Sequence, residues 1–96
     1  MSVIERIRAK IRARDYYVSS HAEEEMAEDG FEREDTKNAI LAGFVEKKLS
    51  HDPRGTRYRL EGPARDGRPM YVLCRFKEIG SLVIITAYEK EQKDEM

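Results

Sequence analysis

The chain has one cysteine, Cys74, three prolines and no long apolar run. A lone thiol cannot build a disulfide framework, and the absence of paired cysteines excludes the cysteine-rich zinc patterns. Cys74 sits inside a strand-like stretch and reads as a small buried hydrophobe. The most apolar run, Leu82 to Ile85, falls far short of the roughly 18–20 residues of a membrane span, and the N-terminus has no apolar signal segment. A cytoplasmic protein is expected. There is no glycine-rich phosphate loop and no Ser-His-Asp signature, so nucleotide hydrolysis and serine chemistry are poor readings. Only two histidines are present, His21 and His51. His21 and Glu25 share a helix face, but no second helical histidine completes a zinc-protease pattern, so neither metal nor cofactor is expected.

Charge is what the sequence has in abundance, at 39% of 96 residues against 40% hydrophobic. A chain this short makes a single domain over residues 1–96, with a core over about 3–89 and a charged tail over 90–96. The near-neutral total hides segregation. Residues 1–14 carry Arg6, Arg8, Lys10, Arg12 and Arg14 against Glu5, residues 20–36 carry eight acids against Arg33, and residues 44–77 are basic again. Such a distribution suits a basic sheet surface beside an acidic helical one, able to steer a polyanion.

Val3, Ile4, Ile7 and Ile11 repeat at helical spacing and predict an amphipathic helix over 2–14. Tyr16, Tyr17 and Val18 then form an extended link. A capping box at Ser20 with Glu23 starts a second helix over 20–29, stopped by Gly30. The third, over 33–42, buries Thr36, Ala39 and Ile40 behind Phe31, with Gly43 as a left-handed stop. From Phe44 the period changes to two, which predicts strands over 44–51, 56–62, 69–77 and 81–89. Asp52-Pro53-Arg54-Gly55, Pro63 to Gly67 and Glu78-Ile79-Gly80 supply the turns. The predicted fold is α+β: about three N-terminal helices on one face of a four-stranded antiparallel meander.

Placing Leu60 opposite Val72 and Cys74 opposite Ile84 sorts the side chains by parity. Tyr58, Leu60, Met70, Val72, Cys74, Phe76, Leu82 and Ile84 then face the helices. Arg57, Arg59, Glu61, Tyr71, Leu73, Arg75, Val83 and Ile85 face away. Three arginines beside an aromatic on one sheet face, with Arg68 at a strand start, are candidates to bind phosphate, and Tyr71 to stack a base. Parity carries Thr86 and Tyr88 to the helix side. There Tyr88 would meet His21, a catalytic pair in which the imidazole, titrating nearest neutrality, is base or acid. His51 beside the first turn could approach the same cleft.

Ser20-His21-Ala22, Met26, Gly30, Glu34-Asp35-Thr36 to Ala39-Ile40, Tyr58, Gly67-Arg68-Pro69, Ile85-Thr86 and Tyr88 together resemble domain of unknown function 4258, over roughly residues 3–89. The resemblance implies a fold similar to the RelE and BrnT ribonuclease toxins, in the barnase, EndoU, colicin and RelE group, and metal-independent RNA cleavage. It also implies RNA and an antitoxin-like protein as partners. One departure matters: family members often have arginine where this chain has Glu25 and Asp29. A guanidinium matches phosphate with bidentate donors, whereas a carboxylate repels it. Either the sheet supplies the clamp, or the activity is lost or changed. The alternative is a non-catalytic interaction module, a homodimer or toxin-system partner, in which a second chain covers Leu73, Val83 and Ile85.

Overall fold

The computed structural model describes residues 1–50 and 53–91. His51 and Asp52 lie outside the described residues, as do the last five of the charged tail. Helix α1 spans Val3–Arg12, strand β1 Tyr16–Val18, α2 Ser20–Asp29 and α3 Arg33–Ala42. Strands β2 (Phe44–Leu49), β3 (Arg57–Pro63), β4 (Pro69–Phe76) and β5 (Leu82–Glu89) follow.

Ser2 caps α1 through a reciprocal box with Glu5, and Ile7 and Ile11 are its buried face. Arg8 reaches across to donate to the carbonyls of Ile40 and Gly43, satisfying the end of α3. The box predicted at Ser20 is replaced by a cap one residue earlier. Ser19 accepts from the Ala22 N–H at 3.0 Å while its own N–H is tied to the Ile84 carbonyl, so the sheet decides where α2 begins. Gly30 ends α2 with φ of 77°, as expected of a left-handed stop. Gly43 is a different case. Its φ is −101°, and glycine is needed because a Cβ would strike the carbonyl oxygens of Glu61 and Ala39.

Among the described residues the sheet has five strands in the order β1-β5-β4-β3-β2, one more than the predicted meander. Tyr16–Val18, read as a link, pairs parallel with Leu82–Ile84. Three residues are too few to show a period, so only the tertiary pairing reveals them as a strand. The other pairs are antiparallel, and both predicted registers hold: Leu60 opposes Val72 and Cys74 opposes Ile84. A bulge between Leu73 and Cys74 lets β5 slip, so that Leu73 opposes Thr86. That one residue reverses the parity beyond it. Ala87 is buried under the helices, and Thr86 and Tyr88 turn to the opposite face, against the expectation.

One core holds the layers together: Ile7, Ile11, Met26, Ile40, Leu60, Met70, Val72, Leu82 and Ile84 form a continuous buried cluster. α2 packs on β5, and α3 on β3 and β4. Where β1 ends, α2 takes over the edge of β5. Ser19 Oγ donates to the Ile85 carbonyl, Glu25 Oε1 accepts the Ala87 N–H at 3.2 Å and Asp29 Oδ2 accepts the Glu89 N–H at 2.8 Å. Four helical residues rise about 6 Å and two strand residues about 6.6 Å, so carboxylates four apart match amides two apart. An edge that would template foreign strands is closed.

Candidate functional site

The side of the sheet away from the helices is covered by no element among the described residues. Pairing arranges it in three rows. Tyr17, Val83 and Arg75 form one, with Arg57 and Leu49 on the next strands; Thr86, Leu73, Arg59 and Lys47 form the second; Tyr88, Tyr71, Glu61 and Phe44 the third. Arg57, Arg59, Tyr71 and Arg75 therefore share the face that the sequence predicted. Tyr88 joins them because of the bulge. Val83 is 8% exposed, and Leu73 and Ile85 are half-buried, so the apolar patch predicted there is largely filled by its own neighbours.

Three of the sequence-chosen residues meet in one cluster. The Arg59 guanidinium lies 4.2 Å over the Tyr71 ring, and Tyr71 and Tyr88 are tilted together at 5.7 Å. Glu46, at the bulge of β2, holds Arg59 Nε at 2.8 Å. That carboxylate, with a hydrogen bond to Tyr88 adding to it, keeps Arg59 charged well beyond its ordinary range. Lys90 completes the cluster, 5.7 Å from the Tyr71 ring centre and 3.0 Å from Glu61. Sequence reasoning missed Glu46 and Lys90. The bulge hides the first, and the second was assigned to the tail.

His21 lies apart from this cluster on the exposed side of α2, with its ring 64% exposed. Its Nε2 lies 3.5 Å from Glu25, and Glu25 in turn holds the Ala87 amide next to Tyr88. So Glu25 and Asp29 are acceptors for the edge of β5, a role that an arginine could not fill. A hollow of about 590 Å³ lies beside them, lined by Glu25, Glu28, Asp29, Glu89 and Glu91 together with Tyr71, Tyr88 and Lys90. Its lining is mostly acidic and includes Tyr88 but not His21, so the pair expected from the sequence is not brought together there.

Arg68 belongs to the fold rather than to the open face. It donates to Asp66, Glu89 and the Asp29 carbonyl and lies 4.3 Å over Phe31, riveting the β3–β4 turn to the end of α2. Arg65 is similarly bound to Asp35, whose carboxyl it holds at about 2. Arg75 makes no ion pair among the described residues. Burial pushes the Cys74 thiol up to about 12, which suits packing and not nucleophilic chemistry. No group of three or more metal-ligating side chains occurs among the described residues.

The molecule is a small α+β domain whose mixed sheet carries helices on one face and a cation-aromatic surface on the other. A family model described as Domain of unknown function (DUF4258) matches residues 18–89, and the chain belongs to that family. The match starts at the end of β1, so α1 lies outside it. Neither the curated proteins nor the solved structures gave a match.

Proposed function

We propose that this domain binds single-stranded RNA on the open face of its sheet and cleaves it without metal, as RelE-like ribonucleases do. The observation that carries the reading is the Arg59, Tyr71 and Tyr88 cluster on a face no helix covers. A four-stranded sheet displaying aromatic rings is a recurrent platform for unstacked bases, and each stacked base contributes about 1–3 kcal/mol. Duplexes offer no such faces.

Cleavage would proceed by attack of a ribose 2′-oxygen on the adjacent phosphorus, forming the O2′–P bond and breaking P–O5′. A base accepts the 2′-hydroxyl proton and an acid supplies one to O5′, leaving a 2′,3′-cyclic phosphate and a 5′-hydroxyl. Glu46 holds Arg59 through its Nε, and the terminal N–H donors that Tyr88 does not take meet the phosphorane charge. Tyr88, hydrogen-bonded to Arg59, is the proton carrier within the cluster, whereas His21 stands apart from it and takes part in this reading only where the strand also runs over the edge of β5 past Glu25.

Anisotropy titration of a fluorescent RNA of about 12 nucleotides tests the binding step, within the range such platforms cover. Arg59→Ala and Tyr71→Ala are expected to raise Kd by about fivefold to a hundredfold, the value of one stacked base. Cleavage is then followed by gel, with His21→Ala and Tyr88→Phe as controls. Binding without cleavage would reduce the proposal to an RNA-binding module. No binding by the wild-type chain would refute it.

A further inference from the structure

On the RNA reading above, the cations around Tyr71 and Tyr88 are already compensated, Arg59 by Glu46 and Lys90 by Glu61. The opposite corner of the open face is not. Tyr17 is 57% exposed there, in line with Val83 and Arg75, and Lys77 Nζ lies 5.8 Å from its ring centre. Round the end of the sheet from Tyr17, a hollow of about 430 Å³ is lined by Arg6, Lys10, Phe76, Lys77 and Glu78 among others. Arg6, Arg75 and Lys77 make no ion pair among the described residues, whereas Lys10 is committed to Asp15 at 3.0 Å. Uncompensated charge therefore concentrates at this corner.

Arg6 lies 4.5 Å over the Phe76 ring. Stacking uses the flat face of a guanidinium and leaves its in-plane N–H donors free, the edge that recognises phosphate. We propose that this corner is a second anchor for the same RNA strand, with Tyr17 stacking a base and Arg6, Arg75 and Lys77 holding the phosphates beside it. Tyr17 and Tyr71 are two strands apart, or about 10 Å, and about 13 Å apart along the strands. A strand of about four nucleotides or more can touch both, which is the low end of known single-strand sites. Arg6 and Tyr17 precede the residues matched by the family model, so this anchor would be supplied from outside it.

Anisotropy of the full chain with the RNA of about 12 nucleotides, repeated over a range of salt, tests the anchor. The double variant Arg6→Ala/Lys77→Ala should weaken binding about tenfold or more and reduce the salt slope by about 1.4, about 0.7 for each lost contact to a single strand. Tyr17→Ala should weaken it about fivefold or more. The charge-matched Lys37→Ala/Lys48→Ala should change it less than about twofold. Should Arg6→Ala lower stability, Arg75→Gln/Lys77→Ala repeats the test without disturbing the stack on Phe76. If Arg59→Ala and Tyr71→Ala weaken binding but the corner variants match the wild type or the charge-matched control, the second anchor is wrong and the RNA reading stands. If the wild-type chain binds no RNA, both fall.

Discussion

Replacing Glu25 by alanine removes the acceptor of the Ala87 amide at a residue that is itself fully buried. An orphaned buried N–H costs about 1–3 kcal/mol, and because the Glu25 side chain is 26% exposed, water can relieve part of it. We expect a loss of about 1–2 kcal/mol, or roughly 5–15 °C in Tm for a domain of this size. Glu25→Gln keeps an acceptor oxygen and should lose less than half as much. Glu25→Arg, which supplies donors but no acceptor, should behave like alanine. His21→Ala should cost only a few tenths of a kcal/mol, since it removes just an exposed pair. Urea denaturation gives the energies, and hydrogen exchange should show the Ala87 amide opening faster in Glu25→Ala while the β3 amides keep their protection. A Glu25→Ala chain within about 0.5 kcal/mol of wild type would refute the clasp. So would glutamine and alanine variants of equal stability.

Gly62→Ala would set a Cβ against the backbone carbonyl of Ala39, which a helix cannot move cheaply, and should cost about 3 kcal/mol by chemical denaturation. Asp35 has a carboxyl at about 2 in the folded chain, below its ordinary 3.8, because of Arg65. Its contribution is therefore fully present above about pH 4 and lost as pH falls toward 2. Screening at the half-exposed Arg65 limits this to about 1–2 kcal/mol, and Asp35→Asn should flatten that part of the stability profile. Cys74 should resist a thiol reagent at pH 8, a condition well below its raised value, and react once denaturant unfolds the chain.

Much of this fold can be read from residue order because local signals agree with the tertiary result. The stripe of Ile7 and Ile11, the stop at Gly30 and the alternation through β3 and β4 each reflect a period or a backbone preference, and the two hairpin registers follow from them. The parity of Tyr88 does not, since a bulge leaves no local mark and one inserted residue transfers every later side chain to the other face. β1 was hidden for a related reason: its partner strand, β5, lies more than sixty residues away. Of the candidate site, the shared face of Arg57, Arg59, Tyr71 and Arg75 was legible. What was not is which cations are spent on the fold. Arg68 looks like a phosphate ligand until Asp66, Glu89 and Phe31 are seen around it. Glu25 looks like a lost clamp until its amide partner is seen.

Whether RNA lies across the open face can be seen by titrating isotopically labelled protein with single-stranded RNA and following the backbone amides. Shifts are expected along β3, β4 and β5 at Arg59, Tyr71, Leu73, Arg75 and Tyr88, extending to Tyr17, while the amides of α3 stay in place. Shifts confined to α2 and α3, or none at saturating RNA, would contradict that placement.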